Sequence, residues 1–353
     1  MRLTIRSTAA GAAVLLALMA APALAQVQTI TPPAVAGARP VTVEKIKVHS
    51  VSIEGNLEGE SADRDVIVYL PPDYAQNPKK RYPVVYALHG YSISNEMWTQ
   101  EIKTPQTVEG AFAQGVPGMI VVLPNSRTLH NGSMYSSSVT TGDFENFIAH
   151  DLVAYIDAHY RTIPNRMSRG LAGHSMGGYG TIRIGMKHPE VFGALYAMSP
   201  CCLSAREAPP PAMAAALEAV KTPEDATRLD FFARATFAAA AAWSPDPKKP
   251  PLYLDLPTNN GVADPSVLAR WAANAPLSML DQYVFNLRQY QAIAIDVGDQ
   301  DGLRTDAEAL HRRMDDFGVK NGFELYSGTH TSAVADRFQN HLLPFFGKVL
   351  SFQ

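Results

Sequence analysis

Apolar residues along this chain follow two rhythms. Over 41–54 apolar and polar residues alternate, and Asp65-Val66-Ile67-Val68-Tyr69-Leu70 follows as a second extended run stopped by Pro71-Pro72. Both predict strands, and their succession predicts an antiparallel opening. Asn77-Pro78-Lys79-Lys80-Arg81 is a solvated turn, after which Tyr82-Pro83-Val84-Val85-Tyr86-Ala87-Leu88 is nearly continuous in apolar residues. Such a run predicts a strand buried on both faces.

Beyond that point strands alternate with helical spacing. Strands are expected at 119–123, at 171–172, at 191–198, at 292–297 and at 323–326. Phe144, Phe147, Ile148, Leu152, Val153 and Ile156 recur at helical intervals over 143–160, and further helices are expected at 178–187, 305–317 and about 333–350. Antiparallel strands leading into repeated β-α units predict an α/β fold with a mostly parallel sheet and helices on both faces.

One stretch breaks this alternation. Residues 204–289 carry a proline run at 209–211, an alanine run at 238–242 and a second Pro-rich stretch at 245–251. Short helical patterns lie between them, at 212–220 and 265–273. A connection of this length between two strands far exceeds a normal crossover, so a helical cap above the sheet is expected, with a plain surface excursion as the alternative. Trp243, Trp271, Tyr253 and the Met279-Leu280 pair are candidate pocket contacts within it, or ordinary core.

The N-terminus changes the picture of where the protein works. Arg2 and Arg6 precede an apolar run over 9–20, and Ala23-Leu24-Ala25 is a small-x-small site. This is the pattern of a secretory signal peptide cleaved after Ala25, and it predicts a secreted or periplasmic protein. Residues 26–40, rich in Pro, Ala, Gly and Thr, read as a flexible leader, and 41–353 as one domain carrying the cap. No later stretch is apolar enough to span a membrane. A net charge of −3 with 18% charged residues supplies no field for nucleic acid or anionic lipid. The two cysteines, Cys201 and Cys202, are adjacent. Consecutive Cα atoms lie about 3.8 Å apart, shorter than a disulfide normally takes, so the pair reads as two small buried apolar residues, with a vicinal disulfide as the alternative. Without a nearby histidine cluster in sequence, the pair gives no structural zinc, and no cofactor or metal is expected.

Candidate chemistry centres on Gly173-His174-Ser175-Met176-Gly177-Gly178. A strand, a tight turn with Ser175 at its apex and a following helix would form a nucleophile elbow, in which glycines let strand and helix backbones pass closely. A glycine-rich turn with an ordinary Ser N-cap is the bland alternative. A serine hydroxyl needs a base to take its proton and an acid to orient that base. In such sheets the order along the chain is Ser, acid, His. After the interruption, Asp296-Val297-Gly298-Asp299-Gln300-Asp301-Gly302 supplies the acids. Asp296 falls within a strand; Asp301 lies far enough beyond it to turn back, and Asp299 is the second candidate. Of the later histidines, His311 falls in a charged helix and His341 in the C-terminal helix, whereas His330 follows a strand in Ser327-Gly328-Thr329-His330-Thr331. His330 is therefore the candidate base. An oxyanion hole needs preorganised N–H donors: Met176, next to the nucleophile, and Tyr91, in His89-Gly90-Tyr91 after the strand 82–88. His89 precedes the serine and reads as structural.

These motifs together resemble the esterase D and feruloyl-esterase-like group of α/β-hydrolases, with the mycolyltransferase (antigen 85) proteins as more distant relatives. The resemblance is carried by Val68-Tyr69-Leu70-Pro71-Pro72-Asp73-Tyr74, Arg81-Tyr82-Pro83-Val84, Leu88-His89-Gly90, Glu145-Asn146-Phe147-Ile148, Tyr160-Arg161-Thr162, the Ser175 motif and Gly298-x-x-Asp301. It spans most of the chain except 204–289. It implies the α/β-hydrolase fold and carboxylic ester hydrolysis by Ser175, His330 and Asp301, with Tyr91 and Met176 as oxyanion donors. Relatives often carry Gly-Gly-His and a nearby Trp around the base, whereas this chain has Gly328-Thr329-His330 without one. The expected substrate is a small-molecule or carbohydrate-linked ester. An acyltransferase using the same groups, a peptidase and a catalytically silent binding protein on this fold are the other readings.

Overall fold

Eight strands build one sheet: β1 (Thr42–His49), β2 (Asp63–Leu70), β3 (Val84–Leu88), β4 (Ile120–Pro124), β5 (Arg169–His174), β6 (Ala194–Met198), β7 (Ala292–Gly298) and β8 (Gly322–Tyr326). The structure is a computed structural model and describes residues 29–353; the signal segment expected over 1–25 lies outside the described residues. Across the sheet the strands run β1-β2-β4-β3-β5-β6-β7-β8. β2 pairs antiparallel with β1 and β4, and all other neighbours are parallel. Every residue of β3, β4 and β6 is buried, as a sheet covered on both faces requires. Val66 and Val68 point into one core while Ile67 and Tyr69 point into the other, the period-two consequence of the pleat.

Helices supply the two covers. α1 (Asn95–Glu101) and α2 (Thr104–Ala113) precede β4. α3 begins as Phe144–Asn146, widens into a π turn over Phe147–Asp151 and continues as Leu152–His159. α4 (Met176–Lys187) follows β5; α5 (Pro211–Glu218), α6 (Pro223–Thr227), α7 (Phe231–Trp243), α8 (Pro265–Ala272) and α9 (Pro276–Leu287) lie between β6 and β7. α10 (Arg304–Asp316) joins β7 to β8, and the C-terminal α11 runs through Val334–Arg337, a π turn at Phe338–Leu342, and Leu343–Val349. This is the α/β-hydrolase architecture expected from the sequence. Among the described residues no helix is long and apolar enough to cross a membrane.

The long connection proves to be two different things. Its last helix, α9, packs along α4: Asn286 Nδ2 donates to the Met186 carbonyl (2.8 Å) and Tyr290 Oη to that of Gly185 (2.7 Å). It is thus the ordinary crossover helix into β7, and the true insertion stops before it. Within the insertion, α7 absorbs the alanine run. Ala238 to Ala242 are all buried, and their small side chains let the helix lie directly on the loop before α3. There Ser138 Oγ donates to the Ala241 carbonyl (2.6 Å) and Trp243 Nε1 donates to Ser136 Oγ (3.1 Å). Trp243, Trp271, Met279 and Leu280 are buried core residues. Trp271 Nε1 donates to Ser244 Oγ at 2.9 Å, and the two indoles meet edge to face at 5.9 Å.

Residues 29–40, expected as a flexible leader, form no helix or strand and are fastened to the body. The Ile30 N–H donates to the Ser332 carbonyl (2.9 Å), Ala335 N–H to Thr29 Oγ1 (3.0 Å) and Gln106 Nε2 to the Pro32 carbonyl (2.7 Å). Cys201 and Cys202 are free and half-buried, and one of them is more than apolar filler. Cys202 Sγ accepts from Arg206 Nη2 at 3.0 Å. The neighbouring Cys201 thiol, together with that guanidinium, pulls the Cys202 thiol below its ordinary value against the effect of burial.

Candidate active site

β5 lies in the middle of the sheet and delivers the turn at Ser175. The residue sits at φ 58° and ψ −113°, a region that costs an L-residue of order 1–3 kcal/mol. Its surroundings enforce it. A Cβ on Gly177 would run into the Leu88 carbonyl, and one on Gly173 into the Gly177 backbone, so α4 can leave the sheet edge this steeply only with glycine at both positions. The Ser175 N–H donates to the Met198 carbonyl (3.0 Å), while its own carbonyl accepts from Tyr179 (2.9 Å) and Cys201 (3.1 Å). Although Ser175 precedes a helix, its side chain makes no capping bond. The hydroxyl is directed elsewhere.

It meets His330. Ser175 Oγ lies 3.0 Å from His330 Nε2, and His330 Nδ1 lies 2.8 Å from Asp301 Oδ2. A carboxylate only accepts, so Nδ1 carries the ring proton and Nε2 is left with a lone pair for the serine O–H. Asp301 is buried to 6% exposure. Burial by itself would raise its pKa, but the hydrogen bond and charge of His330 and the Leu303 N–H (2.9 Å to Oδ1) outweigh it, and the carboxyl stays below its ordinary value. Three residues separated by up to 155 positions thereby form one hydrogen-bonded chain at the carboxyl edge of the sheet.

The second acidic candidate, Asp299, has a different task. Its Oδ1 accepts the Gly328 N–H at 2.9 Å, and the Gln300 N–H donates to the Gly328 carbonyl at 2.9 Å. A Cβ on Gly298 would collide with that same carbonyl. The loop carrying the acid and the loop carrying the histidine are therefore stapled backbone to backbone. Asp296, as expected for a strand residue, is buried, bonded to Arg337 Nε (2.8 Å) and Tyr196 Oη (2.7 Å). His311 stacks on Phe323 with ring centres 4.9 Å apart, and His341 pairs with Glu324 at 3.4 Å.

Two contributions escape sequence reasoning. His174 is buried, and burial, with the nearby His330 ring adding to it, depresses its pKa to about 3. As a neutral ring it donates from Nε2 to the His330 carbonyl at 2.9 Å, holding the main chain of the residue whose ring faces Ser175. Ser199, at φ 41°, adds a hydroxyl that helps lower the Asp301 pKa. His174 stands inside the serine motif and could have been noticed there; Ser199 carries no pattern at all.

On the other side of Ser175 stands the loop after β3. A Cβ added to Gly90 would sit 3.5 Å from the Ser175 Cβ, so this backbone runs close beside the serine. Among the described residues, neither the Tyr91 N–H nor the Met176 N–H donates a hydrogen bond to a backbone or side-chain acceptor. His89 is buried, accepts from the Ser126 N–H at Nε2 (2.9 Å) and donates from Nδ1 to the Gly90 carbonyl (2.8 Å). Burial lowers its pKa to about 4, and its place is structural, as the sequence suggests. The Tyr91 ring packs edge to face on Phe231 of α7 at 5.4 Å, and Phe231 on Phe232 at 5.4 Å. Both phenylalanines are largely exposed, at 48% and 71%.

Comparison with known proteins agrees with this architecture. The chain is 33% identical over 132 residues to the endo-1,4-beta-xylanase/feruloyl esterase of Xylanibacter ruminicola, a match covering 36% of this chain and 18% of that protein. It spans between about a fifth and just over half of the length of the curated relatives it matches. Among solved structures, a ferulic acid esterase superposes with a TM-score of 0.61 at 23% identity, covering 88% of this chain and 99% of the other. An S-formylglutathione hydrolase from Staphylococcus aureus gives 0.58 at 18% identity, covering 87% and 99%. Both share the fold. The family model described as "Putative esterase" matches residues 60–348, a span holding all of β3 to β8 and the Ser175–His330–Asp301 chain, and the protein belongs to this esterase family.

Proposed function

We propose that the protein is an exported serine esterase that cleaves carboxylic esters through Ser175, His330 and Asp301. The observation that carries this is the continuous Asp301–His330–Ser175 hydrogen-bond chain, at 2.8 and 3.0 Å, in a member of an esterase family. His330 Nε2 takes the Ser175 proton as Oγ attacks the ester carbonyl, and Asp301 stabilises the imidazolium that forms. The oxyanion is held by the Met176 and Tyr91 N–H groups. His330 then protonates the departing alcohol, leaving an acyl-enzyme. A water molecule, deprotonated by His330, attacks this ester, and collapse returns the proton to Ser175 and frees the acid. Export is supported by the signal-like pattern ahead of residue 26. A carbohydrate-linked aromatic ester is the substrate class suggested by the xylanase/feruloyl esterase relative.

The test compares wild type and Ser175→Ala on p-nitrophenyl acetate and methyl ferulate. Removal of the nucleophile is expected to cut kcat by about 10⁶ with an unchanged circular dichroism spectrum. A folded Ser175→Ala protein that keeps wild-type turnover overturns the mechanism.

A further inference from the structure

At the opposite end of α4 from Ser175, two histidines and a carboxylate converge that play no part in ester chemistry. α4 is 12 residues long, so this place lies roughly 18 Å from the serine at 1.5 Å per residue. His188 caps the C-terminal end of α4, Glu190 follows in the next turn, and His150 projects from the π turn of α3. One ligand atom from each of the three lies within 4.8 Å of the others. The His150 and His188 rings meet edge to face at 5.2 Å.

The orientation of His188 is what makes this more than a surface cluster. Its Nε2 lies 3.1 Å from Glu145 Oε1. The Glu145 carboxylate is buried and also accepts from Arg183 and from Lys187 Nζ, so it is an acceptor and His188 donates the Nε2 proton to it. That bond fixes the tautomer and leaves the Nδ1 lone pair aimed at Glu190 Oε1, 3.4 Å away. In a neutral ring this juxtaposes two acceptors, an unfavourable pairing unless a cation lies between them. A carboxylate behind a histidine that presents its other nitrogen outward is the usual support of a metal-ligating imidazole.

We infer that His150, His188 and Glu190 form a binding site for a divalent transition-metal ion of the zinc type, with Glu145 as the supporting carboxylate behind His188. Two imidazoles and a carboxylate suit Zn²⁺ with a water in the fourth position. Donors around tetrahedral zinc sit roughly 3.4 Å apart at bond lengths near 2.0–2.1 Å, so the three side chains need to close by about an ångström, which the exposed His150 and Glu190 have room to do. The ion would clamp α3 to the far end of the helix that carries Ser175. The inference is independent of the esterase reading.

The test titrates the EDTA-treated full-length mature protein with ZnCl₂ by calorimetry and follows Tm, in parallel with His150→Ala and Glu190→Gln. Wild type is expected to bind one Zn²⁺ and gain Tm. Each variant should bind at least about tenfold more weakly, judging by what even outer-shell changes cost, and lose the Tm gain. His150 is exposed, so its variant should keep the wild-type spectrum and basal ester turnover. Absence of a one-to-one event in wild type, or variants that bind as wild type does, overturns the site. The second outcome would mark adventitious binding elsewhere, with His188 instead protonated as a simple bridge between Glu145 and Glu190.

Discussion

The sheet edge around Ser175 and the insertion above it are held by different means. At the edge, backbone meets backbone: Gly177 against Leu88, Gly298 against Gly328, and Gln300 bonded to the Gly328 carbonyl. The insertion is held by side chains reaching main chain, as with Ser138 to Ala241 and Arg234 Nη2 to the Leu129 carbonyl (2.9 Å). It leaves Phe231 and Phe232 turned to solvent beside Tyr91. Backbone packing tolerates almost no substitution, whereas side-chain anchors are replaceable one at a time. We propose that ester chemistry belongs to the first region and substrate selection to the second.

The sharpest way to break this division is at the acid. Asp301→Asn should keep the geometry and reverse the hydrogen-bond sense toward His330, lowering kcat by about 10⁴. Asp299→Asn retains an acceptor for the Gly328 N–H and should change kcat by no more than a few-fold. Equal losses in steady-state assays of the two variants would mean that the acid has been misassigned.

A second experiment addresses the joint between body and insertion. Glu145 binds Arg183, whose Nη2 reaches Asn274 Oδ1 at 3.0 Å in the insertion. Burial would raise the Glu145 pKa, but the His188, Arg183 and Lys187 contacts outweigh it and hold the carboxyl at about 2, below its ordinary 4.5. Glu145→Gln leaves Arg183 buried without its partner and should cost about 3–5 kcal/mol at pH 7 in metal-free buffer. The depressed folded-state pKa makes this contribution complete above the ordinary glutamate range and lost as pH falls from 4.5 toward 2. Urea unfolding at pH 7 and pH 3 should therefore show the gap between wild type and variant narrowing in acid. A gap that is constant or widens there contradicts the assigned ionisation.

The smallest expected effect lies at the exposed aromatics. Phe231→Ala with Phe232→Ala should shift stability by no more than about 0.5 kcal/mol and leave acetyl ester turnover unchanged, while lowering kcat/KM for esters with bulky aromatic groups. A uniform loss on all esters would place these residues with the chemistry and erase the proposed separation.

Much of the sheet edge was legible in the sequence because its logic is one-dimensional. Apolar runs mark buried strands, glycines flank Ser175, and the order Ser175, Asp301, His330 narrows the candidates. Asp301, two residues further along than Asp299, is the carboxylate that the fold brings to His330. What stayed hidden depends on distant pairing. Nothing in the spacing tells that α9 belongs to the body and not to the insertion, since both carry apolar residues at helical intervals. The alanine run is buried by a loop some hundred residues away in the chain. His150 meeting His188 likewise joins residues whose separation erases any local signature.

The tethered leader carries a practical consequence. Ile30 is bonded to Ser332, two residues past His330, so any polypeptide fused just ahead of Thr29 emerges beside the histidine loop. An affinity handle or display anchor placed there would start beside the loop that holds His330 against Ser175. A fusion with no spacer at that point would confound kinetic comparison between preparations, and a handle at the opposite terminus is the safer choice for measuring every variant described above.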